Sequence, residues 1–216
     1  MFAAILWDMD GTLVDTEHLV WEVVRSAFQE AAGIALPDDL FSRLIGQSEA
    51  DFYRGMAQLY SLGEADVSRI RDAFNRDYLP RLARVAPLPG AVQRVREFAA
   101  KAPQALVTGS TSAQAGTVLA ALKLADAFRH VVACDTYSRG KPDPEPFLAA
   151  AQRLGVDPSR CVAIEDSPSG VTAARRAGVK VVGIHEGNRG KYDISHADLE
   201  LTSLLDLSWE RLLTLL

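Results

Sequence analysis

Ala3-Ala4-Ile5-Leu6-Trp7-Asp8-Met9-Asp10-Gly11-Thr12-Leu13-Val14-Asp15 is the stretch that decides the fold. An unbroken apolar run of strand length ends in two carboxylates one residue apart, then in a glycine turn. Unalternated apolar residues mark a strand covered on both faces, as in a parallel sheet between helices. Carboxylates at the end of such a strand are expensive to keep ionised unless a cation or hydrogen-bond donors satisfy them. Asp8 and Asp10 therefore read as a metal site, an acid/base pair, or both.

Working outward, similar apolar runs recur at Gln104–Thr108, His130–Cys134, Cys161–Glu165 and Lys180–His185, with a weaker one at Leu199–Leu201. The first strand is predicted over Phe2–Trp7. Amphipathic stretches fall between the later runs, at Gly90–Ala100, Ser112–Leu122, Pro144–Leu154 and Ser169–Ala177. Strand-helix-strand alternation predicts an α/β fold with a doubly wound, mainly parallel sheet. One segment breaks the rhythm. From Thr16 to about Val85 there is no strand pattern, only helical stripes such as Leu19, Val23 and Ala27, then Leu40 and Leu44, then Phe52, Met56 and Leu59. Pro37 and Gly63 punctuate it, and Pro87-Leu88-Pro89-Gly90 marks the return to the sheet. The expected organisation is a core of residues 1–15 and 87–216, with a helical insert over 16–86.

In open α/β sheets, ligands bind beyond the carboxyl ends of the strands. The polar residues at those ends are therefore the candidates. The first strand delivers Asp8 and Asp10, and the second delivers Thr108-Gly109-Ser110-Thr111. Gly140-Lys141-Pro142-Asp143-Pro144 follows the third, and Glu165-Asp166-Ser167-Pro168 ends the fourth. Carboxylates suit Mg²⁺, whereas hydroxyl, backbone N–H and ammonium groups suit phosphate oxygens. An aspartate can also serve as a covalent nucleophile. Each piece has a bland reading. Asp-x-Asp-Gly makes ordinary turns, Thr108-Gly109-Ser110 reads equally as a helix N-cap, and Ser167-Pro168 reads as a helix start. The joint order is what those readings leave unexplained.

Bulk properties narrow the class. Nearly half of the 216 residues are apolar and the net charge is −5 with no basic block, so nucleic acid is not the expected partner. No apolar run reaches membrane-spanning length, and the chain opens directly on a strand with no signal-like segment, so a cytoplasmic protein is expected. Cys134 and Cys161 both lie in apolar runs and read as reduced core thiols. Asp135 reads as a turn residue, His18 as a surface helical residue, and His185-Glu186-Gly187-Asn188-Arg189 as a solvated loop.

Across essentially the whole chain, the four motifs resemble the haloacid dehalogenase-like hydrolase superfamily. Within it, the sequence is similar to the β-phosphoglucomutase-like and sugar-phosphatase subfamily with a small helical cap. Asp8 through Glu17 matches its first motif, Thr108 the second, Lys141 the third and Glu165-Asp166-Ser167 the fourth. The resemblance implies a phosphatase acting on a small phosphorylated metabolite, such as a sugar phosphate, through an aspartyl-phosphate. Asp8 is then the nucleophile and Asp10 the acid/base. Mg²⁺ is held by Asp8, the Asp10 carbonyl and Asp166, with Glu165 acting behind them. Thr108, Lys141 and the backbone N–H groups of Met9 and Gly109 bind the phosphoryl group. It further implies a cis Lys141-Pro142 bond, hinges near 14–17 and 86–89 with Glu17 and His18 beside the first, and a monomer. Gly46-Gln47-Ser48 reads as a cap turn near the site, or equally as a helix stop and restart.

Three competitors within the superfamily fare less well. A mutase carries a histidine and an arginine where this chain has Val20 and Glu49. Dehalogenases lack the second aspartate, here Asp10. Phosphonoacetaldehyde hydrolysis needs a cap lysine, and Thr16–Val85 contains none. The arginines Arg43, Arg54, Arg69, Arg71 and Arg76 suit an anionic substrate, but interspersed acidic residues favour solvated helix faces.

Overall fold

Strand β1 (Ala4–Trp7) is buried at every position and lies inside a six-stranded sheet. The other strands are β2 (Gln104–Val107), β3 (His130–Val132), β4 (Cys161–Glu165), β5 (Lys180–Ile184) and β6 (Leu199–Leu201). All neighbours pair parallel, in the order β3-β2-β1-β4-β5-β6. The doubly wound α/β class predicted from the apolar runs is thus the observed one. The chain winds outward from β1 to β3, then crosses back to β4 on the other side of β1. The direction reverses between β1 and β4, and that switch point is where such sheets bind ligands. This computed structural model describes residues 2–38, 40 and 49–215. Leu44, Arg43, Gly46-Gln47-Ser48 and the Glu49 side chain, all weighed above, lie outside the described residues.

The chain divides into two compact units, Met1–Asp15 with Val85–Leu216, and Thr16–Arg84. In the helical unit, α1 (Glu17–Ala32) packs along α3 (Glu64–Leu82), with α2 (Glu49–Tyr60) between them in sequence. Val23, Val24, Ala27 and Phe28 of α1 and Ile70, Ala73, Phe74 and Tyr78 of α3 are buried. Gly33 ends α1 at φ 68°, where its missing Cβ makes a left-handed turn cheap. The stripe expected on α2 differs: Tyr53 and Met56 are buried, but Leu59 is 59% exposed. Tyr53 and Met56 form the inward side, whereas Leu59, at the same i, i+3 spacing beyond Met56, is left in solvent near the end of the helix. Arg76 binds Glu30 and Asp77, and Arg69 binds Asp66, so these two arginines sit on paired, solvated faces. His18 is exposed, as its surface reading requires.

In the sheet unit, helices follow the strands: α4 (Ala91–Ala99), α5 (Ser112–Ala121), α6 (Glu145–Leu154) and α7 (Pro168–Arg176). A short α8 (Trp209–Leu213) went unread in the sequence; Trp209 packs edge-on against Phe98 at 5.6 Å. β3 is shorter than its apolar run. Cys134 opens a 3₁₀ turn, Cys134–Thr136, and is only half-buried, whereas Cys161 is fully buried; both are free thiols. Asp135 lies in that turn and accepts from the Ser112 N–H and hydroxyl at 3.0 and 2.8 Å. Where the chain leaves and rejoins the unit, Val14 and Pro87 pair antiparallel, and Leu88 N–H donates to the Leu13 carbonyl at 2.8 Å.

Beneath the sheet, the buried Gln104 side chain accepts the Trp7 indole N–H at 2.7 Å and donates to the Val95 and Ala127 carbonyls. One amide thus satisfies three buried groups. Gln104→Met keeps the volume but strands all three. It should lower stability by about 2–4 kcal/mol in urea unfolding; a loss below about 0.5 kcal/mol would contradict this account of the site.

Candidate active site

The carboxyl ends of β1, β2 and β4 and the loop after β3 converge at the switch point. Lys141 Nζ donates to Asp8 Oδ1 and Glu165 Oε1, each at 2.6 Å, and to the Val107 carbonyl at 3.0 Å. Both of its carboxylate partners are buried, and the Lys141–Pro142 peptide is cis. Burial works against the ammonium charge, but Asp8 and Glu165 outweigh it and hold the lysine above its ordinary range. Burial pushes the Asp8 carboxyl up to about 8; Glu165 and Asp10 add to this and Lys141 opposes it. Asp166 is pushed up by burial, then by Asp8 and Glu165. Fully ionised, the cluster would carry more negative charge than one ammonium can balance, which adds to the upward push of burial on both carboxyl groups.

Glu165 is fully committed. Its Oε2 accepts from Asp166 N–H, Ser167 N–H and Ser167 Oγ, each at 2.9 Å, while Oε1 takes Lys141. Asp8, Glu165 and Asp166 each bring a carboxylate oxygen within 4.8 Å of the others. Of the three, Asp8 and Asp166 retain oxygens with no donor from the described residues, and those two have capacity for a cation. Hard carboxylate oxygens suit Mg²⁺, and the unbalanced charge favours it.

Asp10 faces the β2 end. Its Oδ2 accepts from Ser110 Oγ at 2.8 Å and from Thr108 Oγ1 at 3.3 Å. Tyr137 Oη ties down the Thr108 carbonyl at 3.1 Å. The helix cap is supplied by Thr111, whose hydroxyl accepts from Gln114 N–H. Thr108 and Ser110 are therefore not the cap. The N–H groups of Met9 and Gly109 meet no acceptor among the described residues, and the space beside Gly109 is open to 4 Å. At β4, Ser167 caps α7 by accepting from Gly170 N–H at 3.1 Å, with Pro168 in the first turn.

The loop after β5 reads as solvated in the sequence, but two of its five residues, 185–189, are buried. Gly187 and Asn188 are buried. Asn188 donates to the Asp166 carbonyl at 2.5 Å and accepts from Gly190 N–H at 2.8 Å. Gly187 lies so close to the first turn that a Cβ would stand 1.9 Å from the Gly11 carbonyl oxygen. Gly11 itself has φ +86°, and a Cβ there would meet Asp166 Oδ2 at 2.1 Å. Only the Gly-Asn pair signals this in sequence, and such pairs are common in open turns. Arg189 is exposed and binds Asp15 at 3.0 Å.

A doubly wound sheet with these strand-end residues defines a hydrolase of the haloacid dehalogenase-like class. The chain belongs to that family: the haloacid dehalogenase-like hydrolase model matches residues 2–178. It is 36% identical over 187 residues to the fructose-1-phosphate phosphatase YqaB of Escherichia coli, spanning 85% of this chain and 96% of that protein. It is 30% identical over 221 residues to β-phosphoglucomutase of Bacillus subtilis, spanning 97% and 93%. The crystal structure of CbbY from Rhodobacter sphaeroides in complex with phosphate shares the fold, with a TM-score of 0.85 at 24% identity over 96% of this chain and 97% of that one.

Gly187→Ala should cost about 2 kcal/mol or more in urea unfolding, because backbone must move to admit the methyl group. Gly109→Ala, with open space around it, should stay within about 1 kcal/mol of the parent. Equal losses in the two variants would contradict the contact between the β5 loop and the Gly11 turn.

Proposed function

We propose that this protein is a Mg²⁺-dependent phosphatase that hydrolyses a small phosphorylated metabolite, of the sugar-phosphate type, through an aspartyl-phosphate on Asp8. The observation that carries the reading is one buried ammonium, Lys141, bound to Asp8 at 2.6 Å beside the Asp166 carboxylate. The ammonium opposes the upward push of burial on the Asp8 carboxyl, and a cation held beside Asp166 would add to that, favouring the ionised nucleophile where a phosphoryl group would arrive. An Asp8 oxygen attacks phosphorus as the ester P–O bond breaks. Asp10 gives its proton to the departing oxygen. It then takes a proton from water, whose oxygen attacks phosphorus and breaks the bond to Asp8, releasing inorganic phosphate.

Lys141, Thr108 and the N–H groups of Met9 and Gly109 bind the phosphoryl oxygens as charge shifts among them. Asp8, Asp166 and the Asp10 carbonyl would hold Mg²⁺, which supplies charge neutralisation for the phosphoryl oxygens. Glu165 holds Lys141 and the Asp166 backbone rather than the metal. Residues 16–86 serve as the cap that admits substrate, excludes water and sets specificity. The enzyme works as a cytoplasmic monomer; its two free thiols suit a reducing compartment.

The identity to β-phosphoglucomutase favours a mutase as the second reading. Val20 and Glu49, in place of the histidine and arginine of that pattern, weigh against it. A screen of phosphorylated metabolites with inorganic phosphate as the readout separates the two. The phosphatase reading expects release from at least one sugar phosphate. Isomerisation of a hexose 1-phosphate, dependent on a bisphosphate activator, would replace it.

Asp8→Asn should lower phosphate release from p-nitrophenyl phosphate by about a thousandfold or more with the fold retained; near-parental turnover would remove Asp8 as the nucleophile. Mg²⁺ at a hundredfold excess over its Kd should stabilise the parent by about 2.7 kcal/mol in thermal unfolding. The Asp166→Asn variant should lose most of this gain, and an undiminished gain would remove Asp166 from the metal site.

A further inference from the structure

Ser110 does none of the structural work its position invites. Thr111 caps α5, with Gln114 closing a capping box on it. The Ser110 hydroxyl turns instead to Asp10 Oδ2, at 2.8 Å, the shorter of the two hydroxyl contacts on that oxygen. Its backbone is held on both sides. The Ser110 N–H donates to Thr108 Oγ1 at 3.0 Å, and the Ser110 carbonyl accepts from Cys134 N–H at 3.0 Å. A part-buried hydroxyl on a fixed backbone therefore points at one oxygen of the proposed acid/base.

We infer that Ser110 is the positioning residue for proton transfer: it fixes Asp10 Oδ2 so that the carboxyl group presents its proton to the leaving oxygen. This rests on the phosphatase reading above. Under that reading Thr108 turns its hydroxyl to the phosphoryl group, while Ser110 keeps donating to Asp10 Oδ2. The hydroxyl contacts on Oδ2 fix the plane of the carboxyl group from which the proton is transferred. The hydroxyl can keep donating to Oδ2 whether or not that proton has left, so the carboxylate plane holds through both halves of the reaction. Precise placement matters because general acid catalysis contributes about 10²–10⁴-fold only when donor and acceptor are aligned.

Leaving groups distinguish this role from phosphate binding or folding. p-Nitrophenol departs as a stabilised phenolate and needs little protonation; a sugar alkoxide needs a full proton. Because kcat/KM reports steps up to leaving-group departure, Ser110→Ala should lower it about tenfold or more for the sugar phosphate the parent turns over fastest. For p-nitrophenyl phosphate the same variant should stay within about threefold of the parent. Ser110→Thr, which keeps the hydroxyl, should retain most of the sugar-phosphate value. Equal losses on both esters, no loss on either, or a threonine variant as impaired as the alanine one would overturn the inference. A parent protein that releases phosphate from neither ester would instead overturn the phosphatase reading.

Discussion

Lys141 is the cation on which the strand ends depend. Two strand ends, β1 and β4, deliver acidic groups into a space where water is scarce, and like charges at that range repel strongly. The ammonium bound to Asp8 and Glu165 offsets part of that repulsion and fixes the loop after β3 against β1 and β4. Glu165 spends its remaining capacity on the backbone that aims Asp166 and starts α7. Asp8 and Asp166 are left with carboxylate oxygens within 4.8 Å of each other, and ionising both would leave surplus negative charge. A buried ion cluster of this kind is weak evidence of stability and stronger evidence of a site poised for a cation and an anion together.

Topology explains why these residues meet. The sheet reverses direction between β1 and β4, so Asp8 and Glu165-Asp166, distant in sequence, end adjacent strands. The parallel register carries Thr108 to the same edge from the other side of β1. Glycine permits the close approach. Gly11 gives way to Asp166, and Gly187 to Gly11, so the first turn, the fourth-strand end and the β5 loop stack without side chains between them.

Much of this was legible in the residues. Unalternated runs such as Ala4–Trp7 and Cys161–Glu165 mark doubly covered strands because burial on both faces leaves no room for polar alternation. Polar residues at the ends of such runs are conspicuous, which is how Asp8, Thr108, Glu165 and Asp166 could be singled out. Residues defined by tertiary contact were not legible. In sequence Ser110 reads as part of a cap, but Thr111 fills that role in the fold. Gly187 and Asn188 looked like an open turn because nothing local records that the Gly11 turn lies against them. Leu59 fits a helical stripe on paper, yet Tyr53 takes the inward side in the folded unit.

The central claim is that Asp8 carries the phosphoryl group between substrate and water. Rapid acid quenching of a single turnover, followed by mass spectrometry of the proteolysed protein, tests it directly. The account predicts a transient phosphoryl adduct on the peptide containing Asp8, formed before inorganic phosphate appears and absent from Asp8→Asn. Phosphate released with no adduct at any quench time, or an adduct on another residue, would contradict it.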